Sequence, residues 1–204
     1  MPRRTDHDAR RRRIAEALLR LAGRDGLDAV SLRHVAAEAG VSMGQVQHYF
    51  ATKDQMLGFA LDVVSERVAE RIGRRVAALP DGGAPHSLVR AILVELLPLD
   101  EGRRLEAYVG FAFLARAVAQ PGIADGLRRQ YRQLREFVAG QIAAGRSVPG
   151  PDLDPDREAV ALLALVDGLA AHVLADESAQ PAALAAFDGH LRRLFREDQS
   201  ASES

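Results

Sequence analysis

Apolar residues recur along this chain at three- and four-residue spacing, and the alternating runs that make half-buried strands are missing. Start and stop signals bracket each stripe and divide the chain into about nine helices. The first is expected from about Asp8 to Gly26, with Ile14, Leu18 and Leu21 on one stripe. A second starts after Ser31 and ends at Gly40, a third spans roughly Ser42 to Phe50, and a fourth about Lys53 to Leu79. Pro80-Asp81-Gly82-Gly83 then breaks the chain. A fifth helix covers about Pro85 to Leu97 and is stopped by Pro98, and Asp100 can cap a sixth that continues to about Ala119. The seventh runs from Ile123 to Ala144, followed by a Gly/Pro-rich loop through Pro155 that cannot be helical throughout. Asp156–Ala175 and Pro181–Arg196 complete the set, and the polar tail from Glu197 is expected to fray. The reading is an all-α fold. A three-helix head occupies residues 1–53, a helical body occupies 54–204, and the fourth helix connects them.

The second and third stripes satisfy the steric demands of a helix-turn-helix. Two helices that cross closely need a small side chain at the crossing, and Ala36 supplies it. The turn needs a residue at ease in the left-handed region, which Gly40 provides. Leu32, Val35, Ala39, Val41, Val46 and Tyr49 fall in register to form a miniature core. Ser42 can cap the third helix and leave backbone N–H groups at its start, where phosphates bind well.

Charge sharpens this picture. The whole chain carries a formal net charge of −1, but residues 1–53 hold 10 Lys/Arg against 6 Asp/Glu while the remainder is acidic. A basic head on an acidic body suits a protein of which one end meets a polyanion. Of the 27 basic residues only Lys53 is a lysine, and it stands where the fourth helix begins. Arginine over lysine, 36 alanines and no asparagine fit a GC-rich bacterial genome. Cysteine is absent, which excludes disulfides, zinc–thiolate sites and thiol catalysis. The basic N-terminus leads into no continuous apolar run, so no export signal is expected. The most apolar stretch, residues 159–175, is interrupted by Asp167 and His172 and reads as a buried helix rather than a membrane span. A cytoplasmic location follows, with nucleoid association through DNA.

The segment VSMGQVQHYFATKDQML resembles the DNA-binding signature of the TetR family of bacterial transcriptional regulators, through Val41, Ser42, Gly44, His48, Tyr49, Phe50, Lys53 and Leu57. The likeness extends back through Gly26 and Ser31-Leu32, and length and helix count agree. Residues 154–169 resemble, more softly, the effector domain of the BetI-like branch. The resemblance implies a recognition helix in the major groove and a phosphate contact from Lys53. At Gln47 the chain departs from the family, which usually places a phosphate-touching tyrosine there. The expected DNA-binding residues are Arg33, Ser42, Met43, Gly44, Gln45, Gln47, His48, Tyr49 and Lys53. Gln45 is expected to be the better reader of adenine and Gln47 either a reader or a substitute phosphate contact. In the run Arg10–Arg13, helical geometry allows only one or two arginines to face DNA at once.

The implied partners are a double-stranded DNA operator, a second copy of the chain and a small-molecule effector; no cofactor or metal is expected. Leu162, Leu165, Val166 and Leu169, with Leu191, Leu194 and Phe195, are the expected dimer interface, and Leu184 and Phe187 lie on the same stripe. Leu93, Leu97, Tyr108, Phe111, Tyr131 and His172 are the expected pocket. The resemblance implies a repressor whose ligand moves the fourth helix; activation, or ligand-independent binding, is the alternative within the same fold. An enzyme is disfavoured, because no Walker loop, G-x-G-x-x-G, G-x-S-x-G or H-E-x-x-H occurs and no two histidines stand four apart.

Overall fold

A computed structural model describes residues 3–27, 29–119, 121–145 and 154–195, with side chains from His7 onward except at 81, 119 and 121–125. The described residues form nine α-helices and no strand: α1 (Arg3–Asp25), α2 (Leu32–Ala39), α3 (Met43–Tyr49), α4 (Lys53–Ala77), α5 (Pro85–Leu93), α6 (Glu101–Ala119), α7 (Pro121–Ala144), α8 (Pro155–Ala175) and α9 (Gln180–Leu194). The expected helices are all present. The fifth is shorter than expected: after Leu93 the chain tightens into a 3-10 turn at Val94–Leu96, ahead of Pro98, which disfavours α geometry in the residue before it. Most of the loop before Pro155, and the tail from Glu197, lie outside the described residues.

Local capping explains the boundaries. Ser31, Ser42 and Thr52 accept hydrogen bonds from backbone N–H groups of α2, α3 and α4. Asp100 accepts from Arg103 N at 2.8 Å at the start of α6, as its position predicts. Gly40 sits at φ +65° and its N–H closes α2, the left-handed stop that the turn requires.

Two apolar cores form. The first joins α1, α2 and α3 to the first half of α4, running on through Val63 and Val64, and takes in Val109 of α6. The second joins α5, α7, α8 and α9 around Leu93, Ile142, Leu162 and Phe187. Packing of the head therefore continues past residue 53. α4 and α6 span the junction between the cores.

α8 corrects the expectation of a buried helix. It is long and apolar enough to cross a membrane by length and composition, yet only 33% of its most apolar window is buried. One face packs in the second core through Ala159, Leu162, Val166 and Ala170. The other leaves Val160, Ala161, Ala164, Gly168 and Ala171 exposed.

Candidate DNA-recognition helix and ligand cavity

The miniature core of the head forms in the expected register. Val35, Ala36, Ala39 and Val46 are buried, and Leu32, Val41 and Tyr49 pack against them. This fixes which face of α3 looks out: Ser42, Met43, Gly44, Gln45, Gln47 and His48 are exposed. Ser42 and Gln45 form a reciprocal capping box, with Gln45 N donating to Ser42 Oγ at 3.2 Å and Ser42 N donating to Gln45 Oε1 at 3.1 Å. A bidentate contact from Gln45 to adenine would have to share or surrender that oxygen. Gln47 is exposed and carries no such tie. Tyr49 is half-buried between the rings of His7 and His48, at centroid separations of 4.7 and 5.2 Å.

The arginine run divides by helix geometry. Arg11 lies over Phe59, 4.1 Å from its centroid, and so belongs to the core. Arg12 pairs with Glu66 at 2.5 Å. Arg10 and Arg13 line a cleft between α1 and α3 together with Gln45 and Tyr49. Arg33 is exposed at the start of α2, and His34, also exposed, bonds through Nδ1 to Ala29 O at 2.8 Å.

Lys53 is half-buried and donates from Nζ to Leu27 O at 3.2 Å. Leu27 N in turn donates to the Tyr108 hydroxyl at 3.3 Å. The turn between α1 and α2 is thereby held by the start of α4 on one side and by α6 on the other. Leu105 lies against Gly23, where a Cβ would stand 2.8 Å from Leu105 Cδ1, and Arg116 pairs with Asp54. These three points fasten α6 to the head.

A different face of α6 lines an open cavity of about 240 Å³, bordered also by α4, α7, α8 and the 3-10 turn. Its walls are mostly apolar, and of the residues expected at an effector pocket Phe111 and Tyr131 border this cavity. The other expected pocket residues lie elsewhere. Leu93 and Leu97 are fully buried in the second core. Tyr108 is on the face of α6 turned to the head, because one residue along a helix rotates about 100°. His172 is exposed on the outer side of α8.

Sequence reading missed the ionic groups here. Glu95, only 4% exposed, accepts from Arg71 Nε at 2.9 Å and Arg75 Nε at 2.7 Å, with Arg103 Nη1 at 3.7 Å. Burial alone would raise its pKa, but Arg71, Arg103 and Arg75 together outweigh that and hold it below the usual carboxylate value. Arg71 also forks onto Glu106 at 2.5 and 3.0 Å. Glu95, Arg103 and Glu106 all border the cavity, so the ionic cluster joins its floor to α4. At the far wall, Tyr131 Oη donates to Asp167 Oδ2 at 3.4 Å. Burial raises the Asp167 pKa, while burial and the neighbouring Asp167 raise that of Tyr131 to about 12. Glu95 and Asp167 each interrupt a long apolar run, AILVELLPL and LLALVDGLAAHVL, and that is the signal that could have found them.

The expected dimer stripe also needs correction. Leu162, Val166, Leu191 and Leu194 are buried within the protomer, and Leu169 and Phe195 pack against the same core. Leu165 is half-buried. A helix has one inner stripe, and the large residues occupy it here; what α8 and α9 leave outside is mostly alanine and glycine.

Comparison with known proteins agrees with this architecture. Residues 14–58 match the family described as bacterial regulatory proteins, tetR family, and residues 85–196 match the BetI-type transcriptional repressor C-terminal domain. The chain is 38% identical over 184 residues to the HTH-type transcriptional regulator PksA of Bacillus subtilis, covering 86% of this chain and 84% of that protein. The structure of a transcriptional regulator from Saccharomonospora viridis in complex with choline superposes with a TM-score of 0.74 at 30% identity, covering 90% and 93% of the two chains. The multidrug binding protein EbrR complexed with ethidium superposes with a TM-score of 0.60 at 32% identity, covering 92% and 99%.

Proposed function

The chain belongs to the TetR family of DNA-binding transcriptional regulators, with a BetI-type C-terminal domain, and we propose that it works as a homodimeric repressor released from its operator by a small molecule. α3 enters the major groove, with Arg33, Ser42, Met43, Gly44, His48, Tyr49 and Lys53 on or near the phosphates and groove floor. Phosphate contacts position the head and carry no sequence information, so the amides of α3 read the bases. Gln47, free of the capping box, takes that role, and Gln45 keeps α3 in shape.

A second copy packs on the outer faces of α8 and α9. Val160, Ala161, Ala164, Gly168 and Ala171 on α8 and Ala182, Ala185, Ala186 and Gly189 on α9 form a low, apolar surface that a twin pair of helices can approach closely. Two-fold symmetry then sets two recognition helices on half-sites about 34–36 Å apart and demands a near-palindromic operator.

The observation that carries the regulatory half of this reading is the double role of α6. One face borders the cavity, while Leu105, Tyr108 and Arg116 fasten it to the head. A ligand that prefers a different seating of α6 and α4 shifts the spacing of the recognition helices, by as much as its differential affinity for the two arrangements allows. Structural relatives caught with choline or ethidium support a ligand site in such a body.

Genome-wide footprinting of the purified protein tests the first half; enrichment of no palindromic site would reject it. Tyr108→Phe tests the second. It removes the hydroxyl that holds Leu27 and leaves the cavity untouched, so it should alter release from the operator by a saturating ligand without altering ligand affinity. Unchanged release would remove α6 from the coupling route.

A further inference from the structure

The cavity holds an imbalance of charge. Three carboxylates, Glu95, Glu106 and Asp167, border it against one guanidinium, that of Arg103. Two of the three are already matched: Glu95 by Arg71, Arg75 and Arg103, and Glu106 by Arg71. Arg103 is engaged with Asp100 at 2.7 Å besides. Asp167 is different. Among the described residues no Lys, Arg or His lies within ion-pair distance of it, and its polar neighbour is the neutral Tyr131 hydroxyl. A carboxylate half-buried on an apolar wall, with no cation of its own, is an incomplete pair.

Aromatic rings border the same cavity. Tyr131 and Phe111 line the cavity with Leu163 and Val166, and a ring face attracts a cation that has lost its water. A strongly hydrated inorganic ion would find too few oxygens here. An organic cation would match both walls, its charge toward Asp167 and its apolar body against the leucines.

We propose that the effector of this protein is a lipophilic organic cation, such as an aryl or alkyl ammonium, and that Asp167 is the counter-charge that selects it. This rests on the reading of the cavity as the effector site. It goes beyond that reading by naming the ligand class and the residue that recognises it.

The test uses a pair of probes with one shape and different charge: phenyltrimethylammonium, and tert-butylbenzene, which has carbon in place of the ammonium nitrogen. Both are titrated into the full-length protein by calorimetry, and into Asp167→Asn, which keeps the size of the side chain and an acceptor for Tyr131. The cation should lose at least about tenfold in affinity on Asp167→Asn, as expected when one charge-assisted contact is removed, while the neutral probe changes by less than about threefold. Gly110→Phe localises the site. A Cβ at Gly110, which borders the cavity, meets no atom within 4 Å, so the ring can fill the space without disturbing backbone. It should abolish binding of both probes.

An equal loss for both probes in Asp167→Asn would reduce Asp167 to a structural role and overturn the proposal. So would cation binding that Asp167→Asn leaves unchanged. Binding of the neutral probe alone would sink the cation while leaving the cavity as effector site. Binding that survives Gly110→Phe, or failure of both probes on the wild-type chain, would remove the cavity and the cation together.

Discussion

Glu95→Gln is the most searching perturbation of the ionic cluster that joins the cavity to α4. The side chain is 3% exposed and takes hydrogen bonds from Arg71 and Arg75. Hydrogen bonds to a charged group contribute about 1.5–3 kcal/mol each, so losing both would cost at most about 6 kcal/mol. Glutamine keeps one carbonyl oxygen as an acceptor, and Arg75, at 44% exposure, can return to water. The expected loss is therefore about 2–3 kcal/mol, below the 3–5 kcal/mol typical when a fully buried pair is broken. For a chain of this size that lowers the melting temperature by about 5–10 °C. Thermal unfolding followed by circular dichroism, at matched protein concentration because the proposed dimerisation would shift apparent stability, gives the value. Arg75→Gln, which leaves Arg71 and Arg103 on Glu95, should cost under about 1 kcal/mol. The sign with pH follows as well. The carboxyl of Glu95 binds its proton less tightly folded than unfolded, so its stabilisation is complete above the unfolded value, 4.5, and is lost as pH falls through the lower folded value. A Glu95→Gln loss that stayed constant down through that acid range, or one smaller than that of Arg75→Gln, would refute the reasoning.

Three further outcomes follow from the head. Gly40→Ala should destabilise by about 1–2 kcal/mol because φ is +65°, with the space around the new Cβ not at fault since Arg13 Nη2 is 3.5 Å away; chemical denaturation measures it, and no loss would mean that the turn relaxes. Lys53→Ala should weaken DNA binding across sequences and flatten the slope of log affinity against log salt by about one unit; an unchanged slope would confine Lys53 to its bond with Leu27 O. Gln47→Ala should relax preference at one base pair by about 1–3 kcal/mol, whereas Gln45→Ala should lower affinity evenly by loosening α3; base selection lost only in Gln45→Ala would reverse the two roles.

The helix count, the small residue at the α2–α3 crossing and the caps at Ser31, Ser42 and Asp100 were all legible in the chain. These depend on neighbours within about one turn, where periodicity and capping chemistry act directly. The signature around Ser42 and Lys53 was legible for the same reason. The pocket was not. Leu93, Leu97, Tyr108 and His172 are apolar, aromatic or polar in ways that suit a cavity, but lining one depends on how a helix is rotated against partners distant in sequence. Tyr108 and Gly110 show the point: two residues apart on α6, they face the head and the cavity respectively.

The sequence by itself determined an all-α chain with a capped third helix on a basic head, because local stripes, caps and charge need no tertiary knowledge, and its signature around Ser42 and Lys53 pointed to the family of regulators to which it belongs. Only the tertiary structure decided that the large residues of α8 and α9 turn inward, leaving an alanine- and glycine-rich face outside. It alone showed that Glu95 has three arginines and Asp167 has none among the described residues. Charge pairing across 20 to 35 positions of chain is a property of how helices pack, and no pattern along a single helix carries it.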